Sequence, residues 1–439
     1  MLRYPNAARF PAKAWLALLA CATACRSPEQ HRAAADRAVY SILEERRAAL
    51  GLGAAEFTIE PPRDSLRQRL SAGEALGPLP LIQVLSIAAE NSRDYQRRKE
   101  DLFLSALDLT LERFRFEVQT KGNAGALLSG DGDGATRSSN DAGFGLSKVL
   151  GTGAAIVGDL GLNLARDLTR ADAWDLTSDL TLTITQPLLR GFGQRIVKEP
   201  LTQAERDVVY QVRAFERFRR TFAVDVTSRY YRILQQFDTV ANERVNMENL
   251  QLLRARNQEW ARAGRLSDIQ VDQALQDELR SKNRLITEEA RLATQLDDFK
   301  LFLGLPITAP LELLLSELEQ LQDVGLDLAE TQAIDVALAQ RLDYLTSLDS
   351  VDDAERRLEI AADNLRSSLD VVSRTTATSD AGRPLDYANQ DLTWTLSLEL
   401  DLPLDIVQER NAYRASIVTL ERARRTADAH SDTIRGDLR

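Results

Sequence analysis

Histidine and cysteine are nearly absent from this sequence of 439 residues, which contains two of each. The histidines, His31 and His430, stand near opposite ends of the chain, so a histidine-based metal site or catalytic triad is not expected. The acidic pair Asp352-Asp353 falls in a helical stretch and is interpreted as part of a solvated helix face. We therefore predict that the protein is not an enzyme, and that it has no catalytic residue, no metal site and no cofactor.

A basic excess, aromatic side chains and long apolar runs are also lacking. The 66 Asp and Glu residues outnumber the 55 Lys and Arg residues, and the resulting net charge of -11 argues against a nucleic-acid partner. Aromatic residues make up only 6%, which favours long exposed helices over a thick globular core. Because no run of ~20 apolar residues occurs, no transmembrane helix is predicted. The lack of such runs does not argue against a transmembrane β-barrel, since each strand of a barrel gives only a weak sequence signal.

The N-terminal residues 1–25 have the layout of a secretory signal peptide, with basic residues followed by AWLALLACATAC. Both cysteines end sequences that resemble a bacterial lipoprotein box, in which the cysteine becomes the lipidated first residue. Leu18 favours Cys21, whereas the longer apolar run favours Cys25, so one of the two is expected to carry lipid. A plain signal peptide or a buried N-terminal helix is the alternative.

Residues 26–78 are charged and loosely patterned, and we interpret them as a polar tether with a short helix near Arg32 to Leu50. Helical and alternating patterns follow one another after this segment. A helical pattern over Leu79 to Leu111 changes to alternation, so a strand is expected to begin near Arg113. The small polar residues of Ser129 to Gly143 predict an exposed loop. Residues 144–165 alternate again around a predicted turn at Gly151-Thr152-Gly153.

An unusual junction from strand to helix occupies Thr181 to Arg195. Apolar residues alternate with threonines up to Pro187, which cannot donate a hydrogen bond to a sheet. Beyond Gly191 and Gly193 the pattern becomes helical. The same junction recurs at Thr395 to Arg410, where leucines alternate with polar residues before Pro403. Two copies of one junction indicate an internal repeat.

Between the junctions lies a helical hairpin. Apolar residues recur at steps close to 3.5 from Leu201 to about Ala263, which predicts a rod of roughly 90 Å. Gly264 occupies the position of a helix C′ residue, and Ser267 to Gln270 reads as a capping box for a returning helix that ends near Leu303. The tip of this hairpin is therefore short.

The repeat sets the domain organisation. The segment from Ala88 to Tyr95 aligns with Ala337 to Tyr344, and Pro187 aligns with Pro403, so the second copy is shorter by 33 residues. The segment from Ser129 to Ala165 accounts for this difference. We expect a first repeat over 79–310, a connector over 311–332 and a second repeat over 333–439, which is incomplete because the chain stops inside the second hairpin.

The order of these motifs resembles the TolC-type outer-membrane efflux proteins over roughly Leu79 to the end. The motifs are ENSRDYQ (90–96), QPLLRGFG (186–193), ARAGRLSDIQVDQA (261–274), DDFKLFLGLP (297–306), QRLDYL (340–345) and LDLPLD (400–405). The resemblance implies a mainly α fold with a small β part. Long antiparallel, coiled-coil-like helices would form a periplasmic tunnel, and the strands would join a shared transmembrane β-barrel of a homotrimer.

Further implications of the resemblance concern partners. It implies an outer membrane of a Gram-negative-type bacterium, contact with its lipid, and a passive conduit that works with a periplasmic adaptor and an inner-membrane pump. The adaptor would dock at the hairpin tip, on Gly264, Arg265, Leu266 and Ser267, which ordinary helix capping also explains. A periplasmic coiled-coil scaffold, or a non-functional truncated relic of such a channel, is the alternative.

Overall fold

A computed structural model describes residues 27–49, 57–60, 65–71, 77–130, 132, 136–168, 174–321, 325, 329–380, 382–384, 386–387 and 391–439. The predicted signal peptide, with Cys21 and Cys25, lies outside the described residues. Within these ranges, none of the helices combines the length and the hydrophobicity needed to cross a bilayer.

Helices and strands are arranged as two repeats of helices followed by strands and a further long helix. The helices are α1 (Pro28–Ala49), α2 (Leu66–Ser71), α3 (Leu81–Asn91), α4 (Arg93–Phe114), α5 (Gln194–Val197), α6 (Glu199–Arg262), α7 (Asp268–Leu303), α8 (Glu330–Gln340), α9 (Leu342–Asp363) and α10 (Val407–Asp437). The strands are β1 (Gln119–Gly130), β2 (Thr136–Val149), β3 (Ala155–Asp167), β4 (Asp175–Pro187), β5 (Ser368–Thr378) and β6 (Leu392–Asp401).

The predicted helical hairpin is confirmed. Helix α6 runs without a break for 64 residues, roughly 95 Å at the standard rise, and α7 returns along it for 36 residues. The apolar positions that recur every three or four residues are buried against neighbouring helices: Val208, Val212, Phe215, Phe222, Val226, Tyr230, Ile233 and Val240. A single helix of this length is stable because its apolar stripe is covered along most of its course.

An aromatic cluster forms the centre of the helical core. Phe222 lies with its ring centroid 5.4 Å from those of Tyr95 and Phe218, and 5.3 Å from that of Phe302. These residues come from α4, α6 and α7, so the cluster holds three helices together. Apolar and aromatic contacts of this kind supply most of the stabilisation of such a bundle.

The described part of 26–78 packs onto this core. Val39, Ile42 and Leu43 of α1 are buried, and the ring of Tyr40 meets Phe103 edge-on at 5.7 Å. Helix α1 is amphipathic, and its apolar stripe gains more by covering the bundle than by remaining in water. This segment is therefore part of the helical body in the structure, whereas its charged composition indicated a tether.

All six strands form one antiparallel sheet whose order follows the sequence, from β1 to β6. Two sequence predictions about it were wrong. Helix α4 continues to Phe114, and β1 begins only at Gln119, so no strand starts near Arg113. Most of the predicted loop from Ser129 to Gly143 is strand, since β2 begins at Thr136 and pairs with both neighbours. Its small polar residues lie on an exposed sheet, where polar side chains are tolerated.

The internal repeat is visible in the structure. Helices α3 and α4 are separated at Ser92, and α8 and α9 at Arg341, 249 positions later, where each residue has an extended backbone. Strands β1 and β5 begin at Gln119 and Ser368, which are again 249 positions apart. In the part of the chain that the structure describes, the first repeat nevertheless contains four strands, and the second contains two.

Candidate functional site

The sheet has one apolar face, and the strand registers show which residues form it. Leu160 lies opposite Leu180, and Leu180 lies opposite Ala377. Every second residue of each strand lies on the same face as these three, out to both edges of the sheet. The apolar face carries Ala124, Ala126, Leu128, Ala142, Phe144, Leu146, Ile156, Leu160, Leu162, Leu164, Leu176, Leu180, Leu182, Ile184, Leu369, Val371, Ala377, Leu392, Trp394, Leu396, Leu398 and Leu400. Many of these side chains are exposed, including Trp394 at 72% and Leu398 at 66%. A contiguous apolar surface of this extent is typical of a face that meets lipid or another protein.

The opposite face is polar, and it carries every acidic side chain of the six strands. These residues are Asp141, Asp159, Asp167, Asp175, Asp179, Asp370, Glu399 and Asp401. The apolar face has two basic residues, Lys148 and Arg166, close to the ends of their strands, where long side chains can extend toward water. The sheet therefore separates charge from apolar surface as the wall of a water-filled passage through lipid must.

Three acidic side chains of the polar face lie over glycines of the neighbouring strand. A Cβ atom added to Gly125 or Gly161 would lie 2.6 Å from a carboxylate oxygen of Asp141 or Asp179, respectively. At Gly145 the corresponding distance to Asp159 is 2.7 Å. The glycines thus leave room for carboxylates to lie along the sheet, and they explain why this part of the sequence resembles a loop.

Both edges of the sheet are open in the single chain. Within the described ranges, strands β1 and β6 each pair on one side only, and every residue of β6 is exposed. An open edge presents unpaired amide and carbonyl groups, which are not tolerated in lipid and which invite pairing in water. Both edges therefore present backbone groups that a further strand could pair with.

The first strand-to-helix junction is held by specific hydrogen bonds. Beyond Pro187, the backbone amide of Gly191 donates to the carboxylate of buried Asp363, at 2.7 Å. Gly191 and Gly193 both have positive φ, at 78° and 103°, so the chain can turn from β4 into α5 within a few residues. The carboxylate comes from the end of α9, so this contact joins the two repeats. Asp363 was not singled out by the sequence, since its partner is a backbone amide far away in the chain.

The second junction is exposed. Pro403 follows the end of β6, and the leucine after it, Leu404, is 98% exposed. Leu402, Ile406 and Val407 are also exposed, at 40–57%. The equivalent residues of the first junction contact the second repeat, whereas these apolar side chains have solvent around them in the single chain.

At the hairpin tip the predicted capping chemistry is present. Gly264 has a φ of 71°, and the backbone amide of Arg265 donates to the carbonyl of Trp260 at 2.8 Å, which closes the end of α6. The backbone amide of Ser267 donates to Oε1 of Gln270 at 3.3 Å, as a capping box requires. Gly264, Arg265 and Ser267 are exposed at the end of the hairpin. The tip is therefore short, capped and accessible.

The interpretation of Asp352-Asp353 as a solvated pair was wrong for Asp353, which is only 5% exposed. Its carboxylate accepts hydrogen bonds from Tyr210 at 2.8 Å and from Arg356 at 2.8 Å, and it lies 2.6 Å from Nε of Arg206. Burial, together with this carboxylate, raises the pKa of Tyr210 to about 12 despite the opposing Arg206, so its hydroxyl remains a donor. The network joins α6 to α9. Among the described residues, no group of three or more His, Cys, Asp or Glu side chains is placed to hold a metal ion.

No protein-family profile and no curated protein matches the sequence. Solved structures do match the fold. CusC, described in terms of transmembrane channel formation, superposes with a TM-score of 0.56 at 14% identity, over 86% of this chain and 79% of CusC. The chain has the TolC-type fold. The outer membrane protein VceC of Vibrio cholerae gives a TM-score of 0.54 at 10% identity, over 80% of this chain and 75% of VceC. The outer membrane channel CmeC of Campylobacter jejuni gives a TM-score of 0.54 at 12% identity, over 82% of this chain and 70% of CmeC.

The predicted fold class, mainly α with a small β part and two internal repeats, is thus confirmed. Within the TolC-type fold, the elements that the sequence singled out take distinct places. The junctions with Pro187 and Pro403 lie where the sheet meets the helices, and the tip residues Gly264 to Ser267 lie at the far end of the hairpin. The sequence predicted the polar face of β4 and β6, but the part on β2 was missed, although alternation of Asp and Gly over 141–161 carries its signal.

Proposed function

We propose that this chain is an outer-membrane duct of a TolC-type export system, a passive conduit from the periplasm to the exterior. The observation that carries the proposal is the sheet, which is apolar on one face, acidic and polar on the other, and open at both edges. Its strands have 10 to 14 residues, enough to cross the hydrocarbon region when tilted. The apolar face would contact outer-membrane lipid, and the polar face would line the lumen.

Closure of the wall requires further copies of the chain. A head-to-tail contact closes into a ring if the rotation between copies allows it, and we propose three copies, β6 of each pairing with β1 of the next. The contact between the repeats within one chain serves as the template. There Thr181 of β4 lies opposite Thr376 of β5. Thr181 is equivalent to Ser397, 216 positions later, and Thr376 is equivalent to Leu127, 249 positions earlier. The same contact between copies therefore places Ser397 opposite Leu127 of the next copy.

This register is consistent with the two faces of the sheet. Ser397 and Leu127 both lie on the polar face of the sheet. The lipid-facing and lumen-facing surfaces would therefore be continuous across the subunit boundary. The second junction would then meet the end of α4 in the next copy. Apolar side chains are exposed on both sides of that contact, Phe114 and Val118 on one and Leu402 and Leu404 on the other. Burying them would stabilise the ring by removing apolar surface from water.

The hairpin lies on the other side of the junctions from the sheet, and in the proposed orientation it extends into the periplasm. Its tip, with Gly264, Arg265, Leu266 and Ser267, would dock a periplasmic adaptor that connects the duct to an inner-membrane pump. Lipid on Cys21 or Cys25 would anchor the N-terminus at the membrane. Energy for transport would come from the pump.

Cysteine cross-linking tests the shared wall. Ser397→Cys combined with Leu127→Cys is expected to give intermolecular disulfides, and a closed ring would yield covalent trimers in outer-membrane fractions. Residues directly opposite each other in an antiparallel pair have Cα atoms about 4.5–5.5 Å apart, within disulfide range. A second pair, Leu396→Cys with Leu128→Cys, probes the apolar face.

The matched control is Ser397→Cys with Leu128→Cys, in which the two side chains point to opposite faces and no disulfide is expected. The chain without added cysteines gives the background from Cys21 and Cys25. A soluble periplasmic monomer with no cross-link from either pair would refute the duct and favour the coiled-coil scaffold.

A further inference from the structure

We infer that strands β2 and β3 form part of the channel wall, so that three copies build a barrel of 18 strands with a wide aqueous lumen. The cargo class that fits is large, water-soluble solutes. This inference rests on the proposed function, which supplies the trimer and the membrane. It concerns the width of the passage, a property that follows from the difference between the two repeats.

The repeats identify β2 and β3 as an addition. Strand β1 begins 249 positions before β5, whereas β4 begins 217 positions before β6 and the prolines of the two junctions are 216 apart. The surplus of 33 residues therefore falls between β1 and β4, and β2, its turn and β3 occupy Thr136 to Asp167. One whole hairpin has been added. Because a hairpin returns the chain to its starting side, β4 still runs toward the helices.

The added strands are continuous with the rest of the wall. Strand β3 pairs with β2 from Val149 opposite Ala155 to Arg137 opposite Asp167, along the whole of β3. On β3, Leu160, Leu162 and Leu164 lie on the apolar face, while Asp159 and Asn163 lie on the polar face. A hairpin folded into the lumen or over the rim would have no reason to keep an apolar surface in phase with β4 and β6.

The turn of the added hairpin is fitted to the strand-to-helix junction. The carbonyl of Thr152 accepts a hydrogen bond from the backbone amide of Gly193 at 3.2 Å, and the Thr152 hydroxyl donates to Oε1 of Gln186 at 3.3 Å. Gly153 has a φ of 95°, and a Cβ atom there would lie 2.6 Å from the carbonyl oxygen of Gly191 and 2.9 Å from the Pro187 ring. The turn therefore lies at the end of the sheet that meets the helices, where a turn between two strands of the wall is expected.

Strand number determines the size of the passage. Barrel diameter grows roughly linearly with strand number, and barrels of about 16–18 strands leave an aqueous channel. Three copies of a chain with only the two strands per repeat seen in the second copy would give 12 strands. The added hairpins therefore raise the diameter about 1.5-fold and the cross-section about twofold. Such a lumen, lined by carboxylates, hydroxyls and the basic side chains of Lys121, Arg137 and Arg374, passes hydrated solutes of a size that a narrow barrel would exclude.

Labelling of one added cysteine at a time in the assembled protein, with the chain without added cysteines as the background for Cys21 and Cys25, tests whether β2 and β3 line the wall. Leu162→Cys and Asn163→Cys are adjacent on β3, and Leu180→Cys with Thr181→Cys is the reference pair on β4. Each variant is labelled with a charged thiol reagent, and separately with a fluorescent thiol probe in bilayers that contain nitroxide lipid. In the wall, the cysteine at 162 is quenched by lipid, and the cysteine at 163 reacts with the charged reagent.

The reference pair separates the two possible failures. If positions 180 and 181 alternate but 162 and 163 react equally with the charged reagent, the added hairpin lies outside the wall and the inference is wrong. If neither pair alternates, the shared barrel itself fails, and the proposed function falls with it.

The width is tested with a chain that lacks residues 136–168. In planar bilayers, polyethylene glycols of increasing mass are added on the outer side, where they enter the barrel before they reach the helical tunnel. The full chain should admit distinctly larger polymers than the shortened chain. An equal size limit for both would overturn the claim that the hairpin widens the passage, and the labelling test decides the strand placement if the shortened chain does not fold.

Discussion

Alanine at Gly304 should destabilise the helical body much more than alanine at Gly264, although both glycines end a helix of the same hairpin. Each has a left-handed backbone, with φ of 78° and 71°. The conformational cost of alanine in this region is about 1 kcal/mol at either site. The surroundings differ. Nothing lies within 4 Å of a Cβ atom at Gly264, but at Gly304 such an atom would lie 2.0 Å from the carbonyl oxygen of Asn91.

Backbone must therefore move by more than 1 Å at Gly304, at the break between α3 and α4. Overpacking of a well-packed site typically costs about 1–3 kcal/mol, so Gly304→Ala should lose roughly 2–4 kcal/mol in total. Gly264→Ala should lose about 1 kcal/mol. The carbonyl of Gly304 also accepts a hydrogen bond from Arg67 at 2.5 Å, so a shift of this corner disturbs the packing of α2 as well.

The assay is the urea midpoint for loss of trypsin resistance in detergent-extracted protein, with both variants measured beside the unchanged chain. Cleavage fragments at the start of α4 would locate the first opening in Gly304→Ala. Equal midpoints for the two variants would refute the reasoning, because they would show that the corner at Asn91 yields without cost.

Three further predictions follow from the described residues. Phe222→Ala removes the ring at the centre of the aromatic cluster and should cost about 3–5 kcal/mol in the same urea assay; a loss below 1 kcal/mol would contradict that cluster's importance. Burial raises the pKa of Asp343, but the hydrogen bond and charge of Arg341 and a second arginine outweigh it and lower the pKa from 3.8 to about 2. The ionised carboxylate therefore stabilises the fold above pH 3.8, and this contribution is lost as pH falls toward 2. In Asp343→Asn the urea midpoint should therefore change less with pH over that interval than it does in the unchanged chain. A photoreactive cross-linker at Arg265 should give a periplasmic adduct in intact cells and none at Val245, which lies 17 positions before the end of α6. Adducts at both positions, or at neither, would count against docking at the tip.

The long helices and both junctions could be predicted from sequence because their signals are local. A stripe of apolar residues from Val208 to Val240 has one period, and Gly264 and Ser267 stand where a helix must end and the next begin. The first half of strand β2 could not be recognised in the same way. Its glycines, serines and Asp141 are loop residues by composition, and they are strand residues here because β1 and β3 satisfy their backbone on both sides.

Contacts between distant parts of the chain were beyond the sequence signal. Asp353 reads as half of an acidic surface pair, but the packing of α9 on α6 surrounds it with Tyr210 and two arginines. Asp363 reads as an ordinary residue near a helix end, and its role depends on the amide of Gly191 in the other repeat. The charge of an isolated residue is visible in a sequence, whereas its partner is determined by tertiary structure.

The order of the strands has a consequence for the time course of folding. Neighbours from β1 to β4 and from β5 to β6 are joined by short connections, so those pairings close small loops and form early. The pairing of β4 with β5 is different, since Thr181 and Thr376 are 195 positions apart and the entire helical hairpin lies between them. That step must wait until α6 and α7 have brought the two ends together. A slow phase seen at the sheet would therefore report the rate at which the helices fold.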